Sequence, residues 1–197
     1  MLQTVTLSGA LVRLEPLSVH HADALAQTTG DPESWRYHGV GDLTERAALD
    51  AFIASVQDEP AQGVGLNFAI VPVATGRAVG ATALWDVSLP HRRGEIGRTW
   101  LAPETRRTGI NTEAKYLILG HAFETLGLLR VQLKTDTQNV VSRRAIERLG
   151  AKEEGTLRAH MILHNGNRRD TVYYSILTDE WMGGVKAHLQ ALLRPYA

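Results

Sequence analysis

The sequence predicts a single α/β (α+β) domain spanning residues 1–197, with about seven strands flanked by helices. Three observations point to it. Apolar residues alternate in pairs over some stretches and recur at three- and four-residue spacing over others, the signatures of strands and amphipathic helices. Turn chemistry separates the strand-like runs, at Ala74-Thr75-Gly76-Arg77 and at the Asn165-Gly166 pair. No repeat, low-complexity tract or linker divides the chain, and 197 residues suffice to bury a full core.

The elements follow in order. Leu11 to Glu15 alternates apolar and charged residues as a strand. After Pro16, Ser18 can cap a helix carrying Ala22, Leu25 and Ala26, with Gly30 to stop it. Gly30 to Asp42, GDPESWRYHGVGD, is a loop whose Trp35 and Tyr37 are set out either as a lid on the core or as a wall of a binding site. Thr44 to Val56 forms a second helix, capped by Thr44, with Leu49, Phe52, Ile53 and Val56 on one face. Leu66–Val73 and Ala78–Val87 are strands, and a polar link, Ser88 to Gly94, leads to a third, Glu95–Leu101. Pro103 ends that strand because it cannot donate to a ladder. From Asn111 the residues Ala114, Leu117, Ile118, Ala122 and Phe123 mark a central helix that Gly127 closes. Leu129–Thr135 is a strand, Val140–Leu149 a short helix, about 151–163 and 169–178 a final hairpin, and Glu180–Leu193 a terminal helix.

Composition excludes several function classes. Net charge is zero, which argues against general attraction to nucleic acid or membrane and confines anion binding to local sites. There is no cysteine, hence no disulfide, thiolate metal site or cysteine nucleophile. The N-terminus MLQTVTLSGALV does not read as a signal peptide, and no run approaches a membrane span, so a cytoplasmic location is expected. His160 and His164 are four apart in a strand, roughly 13 Å, which predicts no metal pair. No phosphate-loop motif of a nucleotide triphosphatase is present.

The stretch most loaded with chemistry joins the Glu95 strand to the central helix: Arg106-Arg107-Thr108-Gly109-Ile110-Asn111-Thr112. Unpaired N–H groups and the macrodipole make a helix entrance an anion site, and Gly109 permits close approach of a phosphate to the backbone. Read as R-x-x-G-x-x-T-E-A, the segment resembles the pyrophosphate-binding segment, Q/R-x-x-G-x-G/A, of the GCN5-related N-acetyltransferases (GNAT). The likeness is to the RimJ/RimL-like branch, which acetylates ribosomal-protein N-termini. Asn111 stands where that family most often has Gly or Ala. The element order over roughly residues 11–180 is similar too. The resemblance implies a mixed, strongly twisted sheet with a cofactor cleft between two splayed central strands, acetyl-CoA as co-substrate, and direct attack by a primary amine on the thioester.

It also implies roles for residues. Arg106, Arg107, Thr108, Gly109, Ile110, Asn111 and Thr112 would hold the pyrophosphate, with Glu113 a structural residue of the helix N-terminus. A backbone N–H of Trp100 or Leu101 would polarise the thioester carbonyl, a contribution of about 3 kcal/mol. Glu95 would take the amine proton, directly or through water, unless it is merely a strand-end charge paired with Arg92, Arg93 or Arg98. Asn139-Val140-Val141-Ser142 resembles the branch's N-x-x-S segment, so Ser142 would protonate the leaving thiolate and Asn139 would contact the pantetheine or orient the substrate. Both residues are equally good helix caps. Arg143 and Arg144 would reach the CoA phosphates or form a solvated face, and Trp35 and Tyr37 would line the acceptor side. Arg158, Tyr173 and Tyr174 on the last strands are further acceptor-side candidates, one tyrosine at least being expected in the core. The expected partners are a small-molecule amine or a peptide N-terminus, with a homodimer open. The alternative is an acyl-CoA-binding module of the same fold without turnover, suggested by Asn111 and by the lack of a tyrosine acid in Val140–Leu149.

Overall fold

Eight strands, β1 (Leu7–Ser8), β2 (Val12–Pro16), β3 (Leu66–Pro72), β4 (Gly80–Ser88), β5 (Arg93–Leu101), β6 (Arg130–Asp136), β7 (Lys152–Ile162) and β8 (Arg168–Leu177), form one sheet. Their order is β1-β2-β3-β4-β5-β6-β8-β7 in the computed structural model, which describes residues 1–196. The strand beyond the expected seven is β1, whose two residues pair with Leu14 and Arg13 and are too few to show an alternation. All neighbours are antiparallel except β5 and β6.

That parallel pair positions the site. Ladder pairing joins Arg93, Gly94 and Glu95 to Arg130, Val131 and Gln132, and then stops. Both strands continue, to Leu101 and to Asp136, without each other. The cause lies in β5, where Gly97 pairs with Ala83 and Trp100 with Ala81, so that Arg98 and Thr99 together face the single residue Thr82. Arg98 takes a positive φ of 51° to make this bulge. A bulge bends its strand and sharpens the local twist, which carries the end of β5 away from β6.

Two apolar cores lie on opposite faces of the sheet. Every residue of β3 is buried because Leu66, Phe68 and Ile70 enter one core while Ala69 and Val71 enter the other. The first core also takes Ala114, Ile118 and Leu119 from α4 (Ile110–Gly120), Ile146 from α5 (Val140–Arg148), and Trp181 and Leu189 from the C-terminal segment. The second takes Leu25 from α1 (Ala22–Ala26) and Leu49 and Ile53 from α2 (Arg46–Ser55), after which α3 (Glu59–Gln62) leads to β3. Helix α2 begins at Arg46, and Thr44 binds Asp42 instead of capping it. The expected central helix to Leu126 is α4 followed by a wide turn, His121–Thr125. The expected terminal helix is likewise interrupted at Trp181–Val185, where Gly184 leaves helical geometry. No helix among the described residues is long and apolar enough to cross a membrane.

Candidate active site between the parted strands

Gly109 is the N-cap of α4 with φ +81°, in the left-handed region that favours glycine. A Cβ there would also meet Tyr196 Cδ2 at 2.8 Å. The loop before it presents Arg106, Arg107 and Thr108 to solvent. Arg106 Nη2 donates to Ser34 Oγ at 3.0 Å, and the Thr108 hydroxyl donates to the Thr105 carbonyl at 2.6 Å. Ile110 packs against the core, Thr112 is buried, and Asn111 Oδ1 is buried with no hydrogen-bond partner. Glu113 turns away from this mouth, and its carboxylate accepts the backbone N–H groups of Ala10, Leu11 and Val12 at 3.0, 2.6 and 2.7 Å. It therefore ties α4 to the β1–β2 turn and keeps its charge away from the helix entrance. Gly9 belongs to the same device, since a Cβ there would lie 2.4 Å from the Glu113 carboxyl carbon.

On the opposite side of the cleft, Glu95 is 2% exposed. Its Oε2 accepts from Gln132 Nε2 at 2.9 Å and lies 3.1 Å from Lys134 Nζ. None of the three arginines named from sequence is its partner. Arg92 donates to the Gly127 carbonyl, Arg93 pairs with Asp86 and Arg98 with Glu59. The reason is register: Glu95 stands opposite Gln132 in the parallel ladder, which brings Lys134, two residues on, to the same face. Lys134 Nζ also lies 5.0 Å from the Trp85 ring and 5.7 Å from that of Tyr173, within cation–π reach. Gly97 leaves this face open, because a Cβ would come 2.8 Å from Trp85 Nε1 and 3.4 Å from Glu95 Oε1. Trp85 Nε1 is a buried donor without a partner.

The strip continues along β8 and β7. His160 Nδ1 is 3.0 Å from Thr171 Oγ1 and its ring meets Tyr173 edge-on. Burial first, and then the charges of Lys134 and Arg169, pull its pKa below the usual histidine value. Arg169 is buried, with Nε donating to Thr171 Oγ1 at 3.0 Å and Nη1 to the Tyr37 carbonyl at 3.2 Å. That second bond fastens the Gly30–Asp42 loop across the strip. Tyr37 lines a cavity of about 280 Å³ with Arg36, Asp136, Gln138, Leu163 and Asn167.

Several expected site residues sit elsewhere. Trp35 is fully buried, donates its indole N–H to the Thr29 carbonyl at 2.9 Å and packs on Trp100, so it is a core residue and no acceptor wall. The Trp100 side chain is core as well; its backbone and that of Leu101 lie on the part of β5 that has no β6 partner. Of the two tyrosines, Tyr173 faces the strip while Tyr174 is in the core, its hydroxyl held by Arg143 and Glu147. Arg143 is thereby engaged and Arg144 is exposed. Asn139 is the N-cap of α5, its Oδ1 accepting from Ser142 N at 3.0 Å. Ser142 is half-buried in the first turn. Sequence reasoning missed Lys134 and Trp85. Both share the face of Glu95 by strand parity, but that signal becomes visible only when the β4–β5–β6 register is known. Among the described residues no group of three or more His, Cys, Asp or Glu is placed to hold a metal ion.

Comparison with known proteins finds the family described as "Acetyltransferase (GNAT) domain" matching residues 12–152. The "Putative ribosomal N-acetyltransferase YdaF" of Bacillus subtilis is 39% identical over 108 residues, 55% of this chain and 58% of that one. The chain thus spans a little over half the length of that relative. "Uncharacterized N-acetyltransferase YoaA", also from Bacillus subtilis, is 29% identical over 83% of this chain and 92% of its own. The crystal structure of a GCN5-related N-acetyltransferase from Brucella melitensis superposes with a TM-score of 0.89 at 30% identity, covering 98% of this chain and 87% of that one. Mycobacterium smegmatis RimJ, solved in complex with CoA-disulfide, shares the fold with a TM-score of 0.85 at 22% identity, covering 97% and 96%.

Proposed function

From the premise that this chain belongs to the GNAT acetyltransferase family, and is thus an acyltransferase, we propose that it transfers the acetyl group of acetyl-CoA to a primary amine. The amine is that of a peptide N-terminus or a small molecule, and transfer occurs in a ternary complex. One observation carries the reading: the parallel β5–β6 pair parts after Glu95, with a glycine-led helix entrance at its mouth and a buried carboxylate at its apex. The name of one relative, a putative ribosomal N-acetyltransferase, supports the peptide acceptor.

Each part of the cleft then has a task. The N–H groups from Arg107 to Thr112 and the guanidinium of Arg106 or Arg107 bind the pyrophosphate; Arg144 reaches a further phosphate. The buried, unpartnered Asn111 Oδ1 accepts an N–H, which the pantetheine arm supplies and a phosphate does not. A backbone N–H of Trp100 or Leu101 donates to the thioester oxygen as charge develops on it. Glu95 takes a proton from the substrate ammonium so that the free amine attacks, with Lys134 Nζ at 3.1 Å holding the carboxylate in place. The amine nitrogen bonds to the acetyl carbon, the carbon–sulfur bond breaks, Ser142 donates a proton to the departing sulfur, and the second proton shed by the nitrogen returns to the Ser142 oxygen, leaving an amide and the CoA thiol. Asn139 has its Oδ1 committed to the cap and its Nδ2 free to orient the pantetheine.

The test is a thiol-release assay with acetyl-CoA against peptide N-termini and small amines, preceded by a thermal-shift measurement with CoA. Amine-dependent thiol release is expected. Tight CoA binding with no release on a broad panel would move the reading to the binding module, and no binding at saturating CoA would overturn it.

A further inference from the structure

Lys115 is a buried cation precursor that the chemistry above does not use. It lies in the second turn of α4, is 5% exposed, and among the described residues no carboxylate pairs with it. Its Nζ donates to Thr99 Oγ1 at 2.6 Å and to Thr82 Oγ1 at 2.8 Å, and those hydroxyls lie 2.9 Å apart. Thr99 and Thr82 are the residues that face each other across the β5 bulge. Thr99 is held from its backbone as well, for its carbonyl accepts from His38 Nε2 at 3.2 Å. The His38 ring stands against Trp35 and Trp100, and its Nδ1 is buried without a partner. One bulge residue is thus gripped twice, by an amine from α4 through its side chain and by an imidazole from the Gly30–Asp42 loop through its backbone.

Such a grip is costly. Burial pulls the amine of Lys115 down to about 7 and the imidazole of His38 to about 4, because the charged form of each loses its solvation there. Undoing the bulge would slip the rest of β5 by one residue against β4 and turn Trp100 out of its core, so register keeps the bulge and what Lys115 and His38 add is the setting of its backbone. The residue after the gripped pair is Trp100, whose backbone lies on the unpaired side of the cleft. A donor that must meet a developing oxyanion loses much of its worth when displaced by a fraction of an ångström.

We propose that Lys115 and His38 are positioning residues for acyl transfer: together they lock the Thr99 bulge so that β5 presents a backbone N–H to the thioester carbonyl. The inference rests on the acetyltransferase reading. The decisive readout needs no turnover. Isotope-edited infrared spectra of bound [1-¹³C]acetyl-CoA should show the thioester carbonyl band at lower frequency than in water. The band should move back toward its free position in Lys115→Met and Thr99→Val, and Thr99→Ser, which restores the hydroxyl, should recover the wild-type band. Kinetically, kcat should fall about 10–100-fold in Lys115→Met and Thr99→Val with KM for acetyl-CoA within about threefold of wild type, because part of one oxyanion donor is lost. His38→Gln, which retains a donor, should lose less than His38→Phe. An unshifted band in wild type, or a band and kcat unchanged in both Lys115→Met and Thr99→Val, would overturn the proposal. So would a fall in kcat matched by an equal loss of CoA affinity and melting temperature, the mark of a merely structural role. Failure of wild type to bind acetyl-CoA at all would instead defeat the acetyltransferase reading.

Discussion

The two walls of the cleft are built in opposite ways. The proposed cofactor wall is one contiguous run, Arg106 to Thr112, exposed over Arg106 to Thr108 and set by a single glycine at a helix entrance. The proposed acceptor wall draws Trp85, Glu95, Lys134, Tyr173 and His160 from five different strands, and its Glu95 and Lys134 are buried or half-buried and already paired. A phosphate carries enough charge to be held by backbone groups that any helix start supplies, whereas proton removal requires one carboxylate held in one place. The cofactor wall should therefore tolerate change in small steps, and the acceptor wall should fail all at once.

Glu95→Gln tests the second half of that statement most sharply. It should lower kcat about 100-fold or more with little change in KM for acetyl-CoA, because the proton acceptor goes and the ladder stays. An amine substrate of low pKa should lose far less, and a uniform loss of acetyl-CoA binding would erase the contrast between the walls. Glu113→Ala probes the frame beneath the cofactor wall. It strips the partner from the N–H groups of Ala10, Leu11 and Val12 and should cost about 3 kcal/mol in urea unfolding, while Glu113→Gln should cost less.

Acid should weaken the loop that roofs the acceptor strip. His38 has its folded pKa lowered to about 4 from an ordinary 6.5, so the unfolded chain takes up this proton first as pH falls. Stability is unaffected by His38 above about 6.5 and drops by about 2–3 kcal/mol between there and about 4, after allowing for its partial exposure. Denaturation midpoints measured across that range should lose this component of the slope in His38→Phe. Asn139→Ala removes the cap of α5 and should cost about 1 kcal/mol. The smallest effect belongs to the exposed cofactor loop. Arg106→Ala should raise KM for acetyl-CoA about three- to tenfold, an increase that shrinks as salt is added, because the guanidinium is solvated and Arg107 stands beside it.

What could be read from sequence divides along the same line. Gly109 before an amphipathic stretch, the Asn165-Gly166 turn and the order of strands and helices are statements about neighbours in the chain, and they agree with the structure. Glu113 was legible as a structural residue, although its partners are a hundred residues away. Trp35 was misplaced because an aromatic on a polar loop looks the same whether it roofs a core or lines a pocket, and only the packing of Trp100 and Phe52 beneath it decides.

The sequence by itself determined the periodicities, the glycine-led helix entrance, the Asn139 cap and the absence of thiol chemistry, since each is set by residues within a few positions of one another. Tertiary structure alone decided that Glu95 pairs with Lys134, that Arg98 and Thr99 bulge against Thr82, and that Lys115 and His38 converge on that bulge. The first depends on the register between β5 and β6, strands joined by a helical crossover, and the others on the register between β4 and β5. A shift of one residue in either register turns every side chain to the other face, and no local pattern records which register the two cores select.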